Sequence, residues 1–443
     1  MLTLNNLFHF RWVFFGALMI SGMMLSPWSL KSWQAELTWW TSLMGVGLIW
    51  VFMESRRVTG SGPWMAERPQ WVRWTESGLL TSLFAVLFFG PDWIWSPMLR
   101  WINDLFACAG TEAGKWHFYS WIYTCAVLIF GIRSLTKYRK SVSQTKRMAC
   151  LITVQLLFAF FLPIWIPAWL DQKISFNLDI KYFWPLNSSF FEPKNLDAML
   201  ASGALGRLAL IWGIVMFLVV TPWATYRWGK GWYCGYVCGC GALAETVGDV
   251  VRHYNQPNED AWKWERVVIY LVLAWVTIST LVVLSGYVFE TQTLLGISIY
   301  EVFTRPYAFW VSSLFSGVLG VGFYPILGNR FWCRYGCPLA AYMGWIQKWK
   351  SRFRIETDAA SCISCGACTA ACEMGINVHD YAELGEHIQR AACVGCGMCE
   401  IACPRSAIFL TDSPWENDGL ASSLGPIRFA DGKFEISSGS DVT

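Results

Sequence analysis

Long apolar stretches separated by short polar segments fill the first three quarters of the chain. Eight of them are long enough to cross a bilayer, which takes roughly 17 to 25 helical residues. They lie near residues 12–30, 37–54, 77–97, 117–133, 148–170, 204–226, 266–287 and 308–327. The pattern predicts a multi-pass α-helical membrane protein with about eight transmembrane helices.

The composition agrees with this pattern. Hydrophobic residues make up 55% of the 443 residues and charged residues only 15%, which is far from the averages of soluble domains. The 29 tryptophans fit as well, because indole rings concentrate at membrane interfaces. The formal net charge of +3 decides nothing by itself. We expect membrane lipid around the chain and no nucleic acid as a partner.

Lysine and arginine collect in alternate connections between the apolar stretches. Segments 133–147 and 348–354, for example, are rich in both residue types, whereas the other set of connections is much poorer. Positively charged loops stay on the cytoplasmic side, so both termini are predicted to be cytoplasmic, in the inner membrane of a bacterium. The outer loops would then be residues 31–36, 98–116, 171–203 and 288–307.

Two cysteine runs near the C-terminus carry the sharpest chemical signal. They read Cys362-Ile-Ser-Cys365-Gly-Ala-Cys368-Thr-Ala-Ala-Cys372 and Cys393-Val-Gly-Cys396-Gly-Met-Cys399-Glu-Ile-Ala-Cys403-Pro404. Three cysteines at a repeat of three bind one iron–sulfur cube, and the fourth binds the other cube. We therefore predict two [4Fe–4S] clusters. Their ligands would be Cys362, Cys365, Cys368 and Cys403 for the first, and Cys393, Cys396, Cys399 and Cys372 for the second.

Small residues accompany both runs. Gly366, Gly395 and Gly397 suit a loop wound tightly around sulfide, which needs positive φ. A four-cysteine zinc site is the alternative, but zinc sites use paired cysteines, whereas each run here has four. Glu373 stands where proline commonly follows the fourth cysteine, so the local turn is in question. Cluster thiolates must stay reduced, which places residues 356–411, an α+β ferredoxin domain, in a reducing compartment.

An internal repeat with a period of about one hundred residues precedes these runs. Its copies read Gly231-Trp-Tyr-Cys234-Gly-Tyr-Val-Cys238-Gly-Cys240 and Arg330-Phe-Trp-Cys333-Arg-Tyr-Gly-Cys337-Pro338. Cysteines four apart on a helical turn share a face and can bind a metal or form a redox pair. The candidate redox or metal thiols are Cys234, Cys238, Cys333 and Cys337, with an additional metal or a flavin as the candidate cofactor. The plain alternative is that they are buried apolar cysteines.

At these motifs the chain resembles the NosR and NapH type of membrane-bound polyferredoxin, over about residues 204–405. The resemblance implies membrane hairpins, two Cys-x3-Cys-Pro motifs and a cytoplasmic pair of [4Fe–4S] clusters. It also implies that electrons from the quinol pool or a cytoplasmic donor pass to a partner reductase or metal centre. Two departures stand out: the flavin-bearing periplasmic domain of the nitrous-oxide-reductase accessory protein is absent, and the first four helices have no counterpart in the family core. Gly239 also replaces the motif proline in the first copy.

Four regions follow from these patterns. They are an N-terminal four-helix membrane region, 1–147, a membrane electron-transfer core, 148–355, the ferredoxin domain, 356–411, and a soluble tail, 412–443. In the tail, Asp431-Gly432 between alternating residues predicts a hairpin.

The expected function is that of a membrane-anchored iron–sulfur electron-transfer protein, an oxidoreductase component with quinone and a redox protein as partners. The alternative is a redox-sensing regulator or a maturation factor for a metalloenzyme, with no substrate turnover of its own. No catalytic residue is predicted. Glu290 and Glu301, at the edge of predicted spans, are candidate proton acceptors for a quinol.

Overall fold

The computed structural model describes residues 69–91, 114–162, 181–255, 259–290, 293–294, 297–411, 427–430 and 433–436. The spans predicted at 12–30 and 37–54 lie outside these ranges. The described part of the chain is mostly helical, and its short strands form three two-stranded sheets.

The helices that precede the first cysteine pair include several with π-helical continuations. They are α1 (Gln70–Phe89), α2 (Lys115–Lys137), α3 (Val142–Val154) with the π-helix Gln155–Phe161, the 3-10 helix Ser188–Phe191, α4 (Pro193–Ala201), α5 (Gly203–Val215), the π-helical turn Met216–Val220 and α6 (Thr221–Trp228).

The helices around the two cysteine pairs are mostly short, with one long exception. They are α7 (Gly231–Cys234), α8 (Gly239–Glu245), the 3-10 helix Val247–Tyr254, α9 (Glu259–Val288), the π-helix Tyr300–Thr304, α10 (Arg305–Tyr307), the π-helix Ala308–Leu319, α11 (Gly320–Gly322), α12 (Tyr324–Leu327), α13 (Phe331–Tyr335) and α14 (Pro338–Lys350). A small hairpin of β1 (Thr293–Leu294) and β2 (Ile297–Ser298) follows α9.

Three of the described helices are long and apolar enough to cross a membrane: Lys115–Lys137, Gly203–Trp228 and Asp260–Val288. They coincide with three of the predicted spans. Leu208 and Leu271, on the second and third of them, are 65% and 62% exposed. Exposed apolar side chains on long helices are the surface that lipid would cover.

Two further spans differ in detail from their predictions. In place of the span expected at 77–97, α1 begins at Gln70 and ends at Phe89. Pro91 follows closely, and proline excludes the residue before it from the α-helical region. The span expected at 308–327 is a π-helix followed by two short α-helices instead of one continuous α-helix.

The described N-terminal helices brace the two copies of the repeat. Helix α1 packs against the segment that leads into the second copy, where Arg73 donates hydrogen bonds to the carbonyls of Pro325, at 2.8 Å, and Ile326, at 2.6 Å. Helix α2 packs against α8 of the first copy, and the Tyr123 hydroxyl donates to the Gly239 carbonyl at 3.0 Å. These helices therefore fix the backbone on either side of the cysteine pairs.

The C-terminal domain is built from two matched halves. Its elements are β3 (Arg354–Thr357), the 3-10 helix Ala359–Ser361, α15 (Ala367–Ala370), α16 (Val378–Leu384), α17 (Met398–Ala402) and β4 (Ile408–Thr411). Strands β3 and β4 pair antiparallel and α15 packs against α17. In the tail, β5 (Ile427–Ala430) pairs antiparallel with β6 (Lys433–Ile436), which confirms the predicted hairpin.

Candidate metal centre

Four cysteines of the ferredoxin domain surround one cavity. Cys362, Cys365 and Cys368 come from the first run and Cys403 from the end of the second. This is the set of four thiols that the motif assigns to the first cluster. Three thiols from one loop and one from the other half can hold a cube from opposite sides.

The backbone of both runs turns in the same way around the sulfurs. Ser364 and Gly366 have φ of 53° and 70°, and the matching positions Gly395 and Gly397 have φ of 64° and 74°. This left-handed conformation favours glycine, yet the first run uses serine at one of the four places. Helices α15 and α17 begin directly after Gly366 and Gly397, so each run makes the same tight loop and then a helical turn.

The cysteines assigned to the second cluster are also near one another. Burial and the charge of the nearby Cys393 thiolate help to raise the pKa of Cys372 to about 12. Burial, followed by the Cys393 and Cys372 thiolates, raises the pKa of Cys399 well above its ordinary value. Burial and the carboxylates of Glu373 and Glu245 do the same for Cys396. Such thiols release their protons only when a cation binds them.

Backbone amides point at the sulfurs in both halves. The amides of Ile376 and Ala407 donate to Cys372 Sγ at 3.4 Å and Cys403 Sγ at 3.2 Å, each four residues earlier in the chain. The Gly395 amide donates to Cys393 Sγ at 3.4 Å. Hydrogen bonds of this kind stabilise ligated thiolates and adjust cluster potentials.

The donor set therefore fits iron–sulfur clusters. In the part of the chain that the structure describes, no group of three or more His, Cys, Asp or Glu side chains is arranged to hold a single metal ion. The thiols stand around a cavity, with amide donors behind several of them. When bound, a [4Fe–4S] cluster supplies one-electron transfer, and the cysteines above would hold it.

The paired cysteines of the repeat meet in a second cavity. It is lined by Cys234 and Cys238 of the first copy, Cys333 and Cys337 of the second, and the extra thiol of Cys240. Each pair was expected to share one helical face, and this expectation was wrong.

The chain turns between the two cysteines of each pair. Helix α7 ends at Cys234, and Cys238 is the residue before α8. In the second copy, Cys333 lies within α13 and Cys337 is the residue before α14. The thiols converge because each copy folds back on itself and packs against the other copy.

A buried group of charges lies between the repeat and the ferredoxin domain. Glu245, which ends α8, pairs with Arg147 at 2.7 Å, with Arg252 at 2.8 Å and with Arg330 at 2.6 Å. Glu373 pairs with Arg252 at 3.2 Å and with Arg330 at 3.0 Å. Both carboxylates are fully buried. At this position, where proline is common, the Glu373 carboxylate thus joins the ferredoxin domain to the helical core formed by α1 to α14.

The second cysteine run is held directly on the helical core. The Gln144 side chain donates to the Cys396 carbonyl at 2.6 Å, and that of Gln347 donates to the Cys393 carbonyl at 2.9 Å. Gly231 leaves room for this loop, since a Cβ atom there would lie 2.7 Å from the Val394 carbonyl oxygen. By contrast, Cys365 of the first run is exposed. The second cysteine run therefore faces the helices, and Cys365 of the first run faces outward.

A large cleft opens beside the cysteine cavity. It lies between α9, α14 and residues 389–392 of the ferredoxin domain, and Cys333 and Lys230 form part of its wall. Its charged lining is mainly positive, and the exception is Glu265, which pairs with Arg334 at 3.1 Å.

The two carboxylates expected to accept protons lie elsewhere. Glu290 follows the far end of α9 from this cleft, roughly 30 Å away at 1.5 Å per residue. Glu301 pairs with Arg305 at 2.6 Å on the exposed surface.

Sequence reasoning did not select Arg330, Glu245 or Glu265. The one signal for them was their polarity beside apolar, cysteine-bearing segments.

Comparisons with known proteins agree with this geometry. Residues 333–408 match the family of 4Fe-4S dicluster domains. Residues 208–255 and 308–356, the two copies of the repeat, each match a 4Fe-4S binding domain. The chain is thus an iron–sulfur protein with 4Fe–4S binding domains at its C-terminus and across the repeat.

One curated relative is similar over a longer stretch. It is the "Putative electron transport protein YccM" of Escherichia coli (strain K12), 24% identical over 237 residues. The aligned region covers 46% of this chain and 62% of YccM. No solved structure matches the chain.

Proposed function

We propose that this protein is a membrane-anchored electron-transfer component that carries two [4Fe–4S] clusters in its ferredoxin domain. Cys362, Cys365, Cys368 and Cys403 would hold one of them, and Cys393, Cys396, Cys399 and Cys372 the other. The protein would cross the bacterial inner membrane about eight times, with both termini and the ferredoxin domain in the cytoplasm. Membrane hairpins with a cytoplasmic pair of [4Fe–4S] clusters are what the resemblance to the NosR and NapH type of polyferredoxin implies, and the name of YccM supports electron transport.

The docking of the ferredoxin domain is the observation that carries this proposal. The Cys393 and Cys396 carbonyls are fixed to the helical core by Gln347 and Gln144, whereas Cys365 is exposed. A donor beside the apolar helices and a partner redox protein at the exposed face would then each be close to one site. Rigid docking suits electron transfer, because the distance between centres stays constant.

The cleft beside α9 supports quinol as the donor. It borders an apolar helix long enough to cross a membrane and reaches Cys333. Glu265 in its wall is a carboxylate able to accept a proton, and Glu290 is too far from this cleft. Quinone entry from the lipid and electron delivery to the cytoplasmic side would be compatible with this position.

The clusters are tested by spectroscopy and metal analysis of the purified full-length protein. We expect reduced electron paramagnetic resonance signals of two interacting [4Fe–4S] centres. Cys365→Ser should remove one centre and Cys396→Ser the other, and Cys150→Ser, at an exposed thiol outside both sites, should remove neither. Zinc as the bound metal, with no iron or acid-labile sulfide, would overturn the proposal.

Measurements in membranes separate electron transfer from quinol from the maturation role. Addition of a quinol should reduce the clusters, and Glu265→Gln should slow this reduction while Glu290→Gln should not. If membranes without the protein keep every quinol-linked reductase activity while one metalloenzyme fails to mature, the maturation role is correct instead. No contact in the described residues specifically favours that second role.

A further inference from the structure

We propose that Cys234, Cys238, Cys333 and Cys337 hold a third iron–sulfur cluster at the junction between the two copies of the repeat. Each copy would supply two thiolate ligands. The inference rests on the proposed function, since it adds a centre to the same electron-transfer protein, but it concerns different residues and can fail independently.

The cavity offers the donors of the ferredoxin site. Its lining contains the four paired cysteines, as the lining of the ferredoxin cavity contains Cys362, Cys365, Cys368 and Cys403. The four paired cysteines are each at most 8% exposed. Cys thiolates without other ligand types are the donors that select iron–sulfur clusters and a few soft metals.

The repeat selects four ligands from the five thiols. Cys234 and Cys238 precede Cys333 and Cys337 by the same 99 residues, whereas the equivalent of Cys240 is Leu339. The Cys240 thiol instead lies beside that of Cys238. Neither copy of the 4Fe-4S binding domain contains four cysteines by itself, so a four-thiolate site needs both copies.

Amide donors and buried cations surround the four thiols. The amides of Gly241 and Ala340 lie near the thiols of Cys238 and Cys337, in each case three residues further along the chain. The Arg330 guanidinium lies 4.0 Å from Cys333 Sγ and is fully buried. The positive charge of Lys230, also buried, lies near both Cys234 and Cys333 and favours their thiolate forms. A thiolate-ligated cluster carries net negative charge, which such donors and cations stabilise.

The position fits a centre close to both the cleft and the ferredoxin domain. Cys333 lines both the cavity and the large cleft beside α9. Arg330, which lies near Cys333, also pairs with Glu373, the neighbour of Cys372, and the charge of Lys230 lies near Cys393. The cavity therefore adjoins both the site proposed for the quinol and the cysteines assigned to the second cluster.

The test measures iron and acid-labile sulfide per chain in the full-length protein. The variant Cys234→Ala/Cys238→Ala/Cys333→Ala/Cys337→Ala should lose about one third of both. Cys240→Ala, in the same cavity, and Cys125→Ala, outside it, should keep their full content of iron and acid-labile sulfide. The reciprocal variant Cys365→Ala/Cys368→Ala/Cys396→Ala/Cys399→Ala should retain about one third, with the electron paramagnetic resonance signal of a single centre.

Each result decides between the two proposals. Full iron content in the first variant, or no iron in the reciprocal variant, would overturn the third cluster and leave the ferredoxin clusters in place. Zinc or copper bound through the paired cysteines would also overturn it, as would disulfides between them. Iron unchanged in the reciprocal variant would contradict the proposed function instead. If the first variant fails to insert, the reciprocal variant alone decides.

Discussion

The carboxylate of Glu373 offers the sharpest test of how the ferredoxin domain is attached. Its side chain is fully buried between Arg252, at 3.2 Å, and Arg330, at 3.0 Å. Removing one partner of a buried ion pair costs about 3 to 5 kcal/mol, because a buried charge is left unpaired. Glu245 also pairs with both arginines, so Glu373→Gln should lie at the lower end, about 3 kcal/mol.

Hydrogen exchange at the domain interface measures this loss. About 3 kcal/mol corresponds to roughly a hundredfold larger opening constant, and exchange of interface amides follows that constant. The side-chain amide of Gln347, which donates to the Cys393 carbonyl across the interface at 2.9 Å, is a suitable probe. Iron content should not change, because Glu373 is not among the thiolate ligands.

Two further variants separate the carboxylate from the turn. Glu373→Pro restores the residue common after a fourth cysteine, yet it should accelerate exchange as much as Glu373→Gln because both lack the charge. Glu383→Gln, which breaks an exposed contact with His379, should change the free energy of opening by less than about 1 kcal/mol. An acceleration of exchange below about threefold in Glu373→Gln would refute the reasoning, because even about 1.4 kcal/mol corresponds to a tenfold acceleration.

Three other predictions concern packing, pH and topology. Gly231→Ala should weaken docking of the ferredoxin domain, because the added Cβ would lie 2.7 Å from the Val394 carbonyl oxygen. Gly78→Ala, with no atom within 4 Å of its Cβ, should be neutral or stabilising by up to about 1 kcal/mol. Thermal unfolding of the two variants distinguishes these outcomes. Burial opposes ionisation of Glu245, but three buried arginines outweigh it and hold its pKa well below the usual range. The contribution of Glu245 to stability is therefore complete above its ordinary pKa of about 4.3 and is lost only as pH falls through the lower pKa of the folded state. Exchange of the interface amides, corrected for its intrinsic pH dependence, should therefore stay constant from about pH 7 to 5. A reporter fused at Asn187 should be active outside and one at the C-terminus inside, and the opposite result at the C-terminus would contradict the proposed orientation.

The grouping of Cys362, Cys365, Cys368 and Cys403 around one cavity could be predicted from the sequence. The loop from Cys362 to Cys368 places its three thiols through its own backbone, with positive φ at Ser364 and Gly366. Its fourth partner, Cys403, follows from the known exchange of ligands between paired runs. The thiols are set by bonds within a few residues of each other, so the pattern contains nearly all the information.

The docking of the domain was not readable in the same way. Glu245, Arg330 and Glu373 are about 40 to 130 residues apart in the chain, and their pairing depends on helices packing in three dimensions. For the same reason, the spacing within each pair did not determine whether Cys234 and Cys333 meet. Isolated charges beside apolar segments show that partners exist but do not identify them.

The shared wall of the cysteine cavity has a consequence for biosynthesis. The first pair of cysteines emerges from the ribosome 99 residues before the second pair, which takes roughly 5 to 20 seconds at ordinary elongation rates. During that interval Cys234 and Cys238 have no partner thiols from the second copy. The cell must therefore keep two nascent thiols reduced until α13 and α14 are made, and any metal assembly at this place follows translation of both copies.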